Sequence, residues 1–237
     1  MVTEAIVLAG GLGTRLRGAL RDLPKAMAPI AGRPFLAHLL QFLKANDVHR
    51  VVLAVGYRHE AIIGFFGSRY AGLELVYSVE TEPLGTGGAL VRALPFITAT
   101  HALVLNGDTF FRIDYRKFQA LLDRSPRPLL TVALRKVPDA SRYGAVGVTN
   151  GIIQGFSARG SVGPGLINGG SYLVARDIFE RYPVPPKFSW EVDFLQARVN
   201  ELQPLAIEFD APFIDIGIPE ALAEAQTLIP EWVSTAV

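Results

Sequence analysis

Short apolar runs separated by helix-like segments dominate the first half of the chain. The runs over 6–9, 51–55 and 102–105 contain no polar residue. Runs without polar alternation predict strands buried on both faces, as in a parallel sheet. The pattern predicts strands over 6–9, 51–55, 73–79 and 102–106 and helices over 34–44 and 60–66. A second glycine-rich segment, after that at 10–13, covers 83–89 and is predicted as a loop followed by a short helix to Leu94. Such alternation predicts an α/β fold with a mostly parallel, doubly wound sheet.

The second half is less regular, but it contains one clear hairpin signal. Asn150-Gly151 stands between apolar segments at 146–148 and 152–153, as in two-residue hairpin turns. Further predicted elements are helices over 115–123, over 191–201 and from Pro219 towards Leu228, and strands over 129–134, 172–174 and 205–209. We expect the hairpins to form a small lobe on one side of the same sheet, within one domain over 1–237.

Composition limits the classes of protein that the pattern allows. The 237 residues are 50% hydrophobic, enough for a sizeable core, and the net charge is only +1. This balance predicts no nucleic-acid or membrane-surface partner. The chain has no cysteine, and Glu4 stands where a signal peptide would be positive, so we expect a cytoplasmic protein.

The first predicted strand opens into three glycines within four residues, Gly10-Gly11-Leu12-Gly13. Glycines let the backbone approach a ligand and direct its N–H groups at it, which suits a polyphosphate. Arg15 and Lys25 add positive charge nearby. The alternative is an ordinary glycine-rich turn, which requires neither three glycines nor two cations.

Two common phosphate-binding motifs do not fit this loop. A P-loop places Lys and then Ser or Thr directly after its glycines, and that order is absent. The dinucleotide fingerprint requires a third glycine, where this chain has Leu16. It also requires an acid after the second strand, where this chain has Gly56-Tyr57. A nicotinamide dehydrogenase is therefore disfavoured.

The loop resembles the signature of the sugar-1-phosphate nucleotidylyltransferases. That signature matches Gly11-Leu12-Gly13-Thr14-Arg15 followed by Pro24-Lys25. Five further motifs of that family occur in order: Glu82 to Gly88, Asn106 to Asp108, Arg142 to Gly144, Asn168 to Gly170, and Asp215 to Gly217. The resemblance implies a single Rossmann-like domain with a sugar-binding lobe. It also implies a reaction that joins a nucleoside triphosphate to a sugar 1-phosphate and releases pyrophosphate.

That reaction needs positioned charge rather than a nucleophilic side chain. The attacking phosphate is already ionised near neutral pH, so positioning and charge stabilisation supply most of the catalysis. The resemblance assigns Arg15 and Lys25 to the triphosphate and the transition state, and Asp108 and Asp215 to Mg²⁺, which prefers oxygen ligands. Each aspartate follows a strand-like run, although a turn residue at Asp108 and a helix cap at Asp215 are alternatives.

The resemblance also implies the nucleotide contacts. Its nucleotide-binding positions are Leu8, Ala9, Gly10, Gly11, Gly13, Thr14, Gly85, Thr86 and Gly87. Guanine offers adjacent N–H donors that a carboxylate can accept, so Glu82 is a candidate for recognising the base. A solvated surface glutamate is the alternative for Glu82.

The sugar-phosphate pocket shows one departure from the family. Positions that match that pocket are Gly144, Arg159, Asn168, Gly169 and Glu191. Many relatives carry Glu-Lys where this chain has Ala158-Arg159. Arg159 keeps the positive charge, whereas Ala158 cannot accept a sugar hydroxyl. Glu191 either accepts sugar hydroxyls or merely begins a helix.

Four runs are similar to one subgroup, the D-glycero-α-D-manno-heptose 1-phosphate guanylyltransferases. They cover 82–89, 105–111, 165–170 and 213–220. The resemblance implies GTP and a heptose 1-phosphate as substrates, Mg²⁺ as cofactor and GDP-heptose for bacterial surface polysaccharides. We expect no β-helical extension. The alternatives are a single-domain uridylyl- or thymidylyltransferase and a non-catalytic sugar-nucleotide sensor.

Overall fold

The computed structural model describes residues 2–11, 23–123, 127–160 and 162–234. Within these residues the strands are β1 Glu4–Leu8, β2 Pro29–Ile30, β3 Arg33–Pro34, β4 Arg50–Val55, β5 Arg69–Tyr70, β6 Leu73–Val79, β7 His101–Asn106, β8 Thr109–Phe111, β9 Leu130–Val137, β10 Val146–Thr149, β11 Ile152–Phe156, β12 Gly165–Ala175, β13 Leu205–Phe209 and β14 Phe213–Asp215. The α-helices are α1 Phe35–Ala45, α2 His59–Phe66, α3 Gly85–Ala93, α4 Tyr115–Gln119, α5 Ile178–Arg181, α6 Val199–Leu202 and α7 Pro219–Ser234. A π-helix covers Trp190–Gln196.

Ten of the described strands form one continuous sheet in the order β10-β11-β13-β9-β12-β7-β1-β4-β6-β5. Strands β7, β1, β4 and β6 are parallel neighbours, and β13 is parallel to β9. Strand β12 runs antiparallel to both β7 and β9 and joins the two parallel sets. The carboxyl ends of the first set therefore meet at one edge, where parallel sheets bind their ligands.

Helices cover both faces of the sheet, because strand residues alternate between two apolar cores. On β1, Ala5 and Val7 belong to one core and Ile6 belongs to the other. Helices α1, α2, α4 and α7 pack into the first core, and α3, α5, α6 and the π-helix pack into the second. This arrangement confirms the α/β class that the strand–helix alternation predicts.

The predicted hairpin is confirmed at one end of the sheet. Asn150 and Gly151 have φ values of 52° and 74°, as in a type I′ turn, and they connect β10 to β11. Strand β11 pairs with β13, so the hairpin extends the main sheet.

Three predicted elements differ from the observed ones. The second glycine-rich segment forms the first turn of α3, which begins at Gly85. The helix predicted over 191–201 is the π-helix followed by α6, and the strand over 172–174 is the end of the long strand β12. In the described residues, no helix combines the length and apolar character needed to cross a membrane.

Candidate active site

A cleft of about 1020 Å³ lies at the carboxyl ends of β1, β4, β6 and β7. Most of the site residues predicted from sequence line it: Leu8, Ala9, Gly10, Gly11, Lys25, Glu82, Gly85, Thr86, Asp108, Arg159, Asn168, Glu191 and Asp215. Gly13, Thr14 and Arg15 lie outside the described residues.

Three predicted glycines lie behind the cleft wall. A Cβ on Gly87 would lie 2.2 Å from the Phe188 ring, and one on Gly169 would lie 2.4 Å from the Phe111 ring. Gly144 has φ +85°, and its Cβ would lie 2.5 Å from the Ser157 carbonyl oxygen. Close packing therefore accounts for a glycine at each of these positions.

A lysine and two aspartates from distant parts of the chain meet at one end of the cleft. Lys25 Nζ lies 2.5 Å from Asp108 Oδ2 and 3.7 Å from Asp215 Oδ1. Asp108 follows β7, and Asp215 is the last residue of β14. Strand β14 pairs with β8 so that Asp215 is opposite Thr109, and the Ile216 N–H donates to the Asp108 carbonyl (3.0 Å). This small second sheet brings the two carboxylates together.

Arg142 is a contact of Asp215 that sequence reasoning did not assign. Its Nη2 donates to both the carbonyl oxygen and Oδ2 of Asp215, each at 3.0 Å. The other carboxylate oxygen accepts from the Gly217 N–H at 2.7 Å. Asp215 is thus oriented by hydrogen-bond partners on both carboxylate oxygens. The only sequence signal for Arg142 is its place in the Arg142 to Gly144 motif.

The donor set of this cluster fits a magnesium ion that also binds substrate phosphate. Asp108 and Asp215 supply hard oxygen ligands. Both carboxylates already contact one cation, the Lys25 ammonium group. Among the described residues, no group of three or more His, Cys, Asp or Glu side chains could hold a metal. Mg²⁺ commonly takes one or two carboxylates and completes its shell with phosphates and water.

At the other end of the cleft, Glu80 is a second residue that sequence reasoning missed. It follows β6, and its Oε1 would lie 3.2 Å from a Cβ placed on Gly10. Its Oε2 accepts from the Leu84 N–H at 3.1 Å. Burial raises the pKa of Glu80, while the Leu84 N–H and the charge of Arg92 oppose that rise.

Glu82, the carboxylate selected from sequence, also lines the cleft but is exposed. Only Thr81 separates it from Glu80, and both glutamates follow the same strand. The sequence does contain a signal that could have identified Glu80 as a site residue. It directly follows the predicted strand 73–79, and parallel sheets bind ligands at the carboxyl ends of their strands.

The start of α3 is joined to the segment that precedes the π-helix. The Gly87 N–H donates to the Phe188 carbonyl (3.0 Å), and the Phe188 N–H donates to the Leu84 carbonyl (3.1 Å). The Trp190 N–H donates to Thr86 Oγ1 at 2.9 Å. These bonds fix the position of the start of α3, which forms one wall of the cleft, relative to Glu191.

Glu191 projects from the π-helix into a group of polar side chains. Its Oε1 accepts from Asn106 Nδ2 (3.1 Å), Asn168 Nδ2 (3.5 Å) and the Tyr172 hydroxyl (2.8 Å). Asn168 lies where β12 shifts its register against β9, a bulge that redirects side chains. Asn106, Asn168 and Glu191 line the cleft, whereas Tyr172 lies behind them and is fully buried.

Comparison with known proteins identifies close relatives over almost the whole chain. The family model "Nucleotidyl transferase" matches residues 4–231. The D-glycero-alpha-D-manno-heptose 1-phosphate guanylyltransferase of Campylobacter jejuni is 44% identical over 218 residues, covering 92% of this chain and 96% of that protein. Its counterpart in Aneurinibacillus thermoaerophilus is 40% identical over 232 residues, covering 97% and 100%.

A solved structure shares both the fold and the sequence likeness. HddC from Yersinia pseudotuberculosis superposes with a TM-score of 0.84 at 36% identity, covering 95% of this chain and 98% of that one. Its complex with GMP-PN superposes with a TM-score of 0.83.

Proposed function

The chain belongs to the nucleotidyl transferase family, and we propose that it transfers GMP from GTP to D-glycero-α-D-manno-heptose 1-phosphate, releasing pyrophosphate. The convergence of Lys25, Asp108 and Asp215 in the cleft carries the catalytic part of this proposal. The choice of guanine and heptose is supported by the two relatives of 44% and 40% identity that carry this activity in their names.

In this proposal the triphosphate lies over the backbone from Leu8 to Gly11, where N–H groups and glycines permit close approach. Lys25 binds the triphosphate and stabilises the charge that develops as pyrophosphate leaves. Arg15 and the loop residues Gly13 and Thr14 complete the proposed phosphate site. The sugar phosphate oxygen attacks the α-phosphorus, and the α–β phosphoanhydride bond breaks on the opposite side.

Asp108 and Asp215 are the proposed ligands of Mg²⁺. When bound, the ion would neutralise charge on the phosphates. Lys25 contacts both carboxylates in the described structure, and we expect it to turn towards phosphate once they hold the metal. Arg142 and the Gly217 N–H keep Asp215 in its orientation throughout.

We propose that Glu80 recognises guanine. An ionised carboxylate accepts hydrogen bonds from the adjacent N–H donors on the Watson–Crick edge of that base. Glu80 is partly buried at the end of β6, beside the Gly10 backbone, and one oxygen is held by Leu84. The exposed Glu82 is the alternative carboxylate. Gly85 and Thr86 line the neighbouring wall, and Gly87 packs behind them against Phe188.

The sugar phosphate is proposed to bind between β12 and the π-helix. Arg159 would hold its phosphate as a planar fork. Asn168 and Glu191 would bind its hydroxyl groups, while Gly144 and Gly169 shape the surrounding backbone. Because Ala158 offers no carboxylate, Glu191 takes on the hydroxyl-accepting role in this chain.

The wider role follows from these substrates. We propose that one catalytic domain acts in the cytoplasm, with no membrane or nucleic-acid partner, and that its GDP-heptose serves capsule or lipopolysaccharide synthesis. The near-neutral net charge of +1 supports the absence of a polyanionic partner.

A substrate matrix tests the proposal directly. GTP, ATP, UTP and dTTP are each combined with heptose, mannose and glucose 1-phosphates, with Mg²⁺, and pyrophosphate release is measured. We expect the highest kcat/KM for GTP with heptose 1-phosphate, and none of that activity in Lys25→Ala. Best turnover with UTP or dTTP would overturn the guanylyl assignment, and release from no pair would favour a sensor.

A further inference from the structure

Tyr172 is the least accessible member of the polar group around Glu191. Its side chain is 0% exposed, and its ring packs edge-on against Trp190 at 5.7 Å between centroids. A buried hydroxyl needs hydrogen-bond partners, and Tyr172 has two. It accepts from Asn168 Nδ2 and donates to Glu191 Oε1, both at 2.8 Å.

The two carboxylate oxygens of Glu191 differ in their hydrogen bonding. Oε1 accepts from Asn106, Asn168 and Tyr172, while Oε2 has no protein hydrogen bond among the residues that the structure describes. Burial and the neighbouring carboxylate raise the pKa of Tyr172 well above 10, so its hydroxyl keeps its proton and remains a donor. The carboxylate is therefore held by one oxygen and retains the acceptor capacity of the other.

We propose that Tyr172 is a positioning residue that holds Glu191 as a fixed acceptor for hydroxyl groups of the sugar phosphate. This inference rests on the proposed function and extends it to a residue outside the cleft lining. Tyr172 itself touches no substrate. It acts by restricting Glu191 to one orientation, which removes the cost of ordering that side chain when the sugar binds.

The position of the π-helix supports this role. Glu191 is its second residue, and the preceding Trp190 N–H is anchored to Thr86. Backbone anchoring at one end and the Tyr172 hydroxyl at the other define both the Cα and the carboxylate. π-Helical turns occur frequently at functional sites.

The variant Tyr172→Phe removes only the hydroxyl and keeps the buried ring. We expect the KM for the sugar 1-phosphate to rise about tenfold, as for loss of one hydrogen bond to a charged group. The KM for GTP and the kcat at saturation should change less than about twofold. A general loss of packing would not raise the KM for the sugar 1-phosphate while leaving the KM for GTP almost unchanged.

Tyr115→Phe is the matched control. Tyr115 is also 0% exposed, but it packs against Phe42 and does not line the cleft. It should leave both KM values unchanged. Thermal melting of both variants measures any loss of stability separately.

A double-mutant cycle tests whether Tyr172 acts through Glu191. In a Glu191→Ala background, which removes the acceptor of the Tyr172 hydroxyl, the same Tyr172→Phe change should add less than about twofold to the sugar KM. A further tenfold rise in that background would overturn the proposal. Unchanged sugar affinity in the single variant, or equal losses for sugar and GTP, would also overturn it.

Calorimetry separates this inference from the proposed function. Binding of heptose 1-phosphate, mannose 1-phosphate and inorganic phosphate is measured without turnover. Tyr172→Phe should weaken both sugar phosphates about tenfold and leave inorganic phosphate unchanged, because inorganic phosphate has no sugar hydroxyls. Binding without pyrophosphate release from any substrate pair would refute the enzyme function while leaving the positioning role supported. Equal weakening of all three ligands would refute the positioning role.

Discussion

If Glu80 recognises the base as proposed, replacing it by Gln should change nucleotide preference while keeping the shape of the side chain. In the wild type, Oε2 accepts from the Leu84 N–H at 3.1 Å, and Oε1 lies beside the Gly10 backbone. The amide has a single oxygen, which must face either Leu84 or the base. In both orientations an NH₂ group meets an N–H donor that the carboxylate would have accepted.

The cost follows from the number of hydrogen bonds. A hydrogen bond to a charged group contributes about 1.5–3 kcal/mol, and two are available to guanine. Losing one and weakening the other costs about 3 kcal/mol, which is roughly 100-fold in kcat/KM for GTP. Glu82→Gln is the matched control, because Glu82 is exposed and only two residues away. It should change the same quantity less than about threefold.

The assay measures kcat/KM for GTP and for UTP with one sugar 1-phosphate. The ratio between the two nucleotides should fall about 100-fold in Glu80→Gln, since uracil lacks the paired donors of guanine. An unchanged ratio in Glu80→Gln would refute the role of Glu80. A large fall in Glu82→Gln instead would assign base recognition to the sequence-based candidate.

The same carboxylate predicts a pH dependence. Burial raises the pKa of Glu80 above its usual 4.5, so it takes up a proton at a higher pH than an exposed glutamate. The protonated form loses an acceptor, and the KM for GTP should therefore rise as the pH falls from 7 towards 5. Glu80→Gln should lack this component, and an identical pH profile in that variant would contradict the explanation.

Three further substitutions test other parts of the site. Lys25→Ala should lower kcat at least about 100-fold in single-turnover assays, because it removes the cation proposed to bind the phosphates; near-normal turnover would contradict that role. Arg142→Ala should raise the half-saturating Mg²⁺ concentration and weaken Mn²⁺ binding in spin-resonance titrations, because Asp215 loses its Oδ2 partner, and Arg142→Lys should restore part of the affinity. Gly85→Ala should lower the free energy of unfolding in urea by about 2 kcal/mol, since φ is +74° and its Cβ would lie 2.5 Å from the Phe188 carbonyl oxygen; an unchanged midpoint would contradict that packing.

Local pattern predicts the elements that depend on nearest neighbours. Strand β6, Leu73–Val79, and strand β13, Leu205–Phe209, have the predicted boundaries, because short segments rich in apolar and aromatic residues favour a strand. The Asn150-Gly151 turn is equally local, since positive φ at two successive residues favours these residue types.

Packing explains where prediction of single elements was wrong. The glycine-rich segment 83–89 is predicted as a loop, yet its glycines from Gly85 onward form the first turn of α3. Backbone hydrogen bonds to Phe188, about 100 residues further along the chain, hold that turn. The 191–201 segment has apolar residues that fit a helix, and in the fold it forms a π-helix followed by α6, with Trp190 and Phe194 packed in the second core.

Sequence alone therefore determined the α/β alternation and predicted most of the residues that line the cleft, because these depend on local pattern and on motifs. Only the tertiary structure decided that Asp108 and Asp215 share Lys25, since a short pairing of β8 with β14 brings them together. It also distinguished Glu80 from Glu82 through the geometry at the end of β6. Tyr172 has the pattern of an ordinary core residue, and only its contact with Glu191 across the fold indicates a role in the site. Such contacts depend on three-dimensional proximity, which spacing along a single chain does not encode.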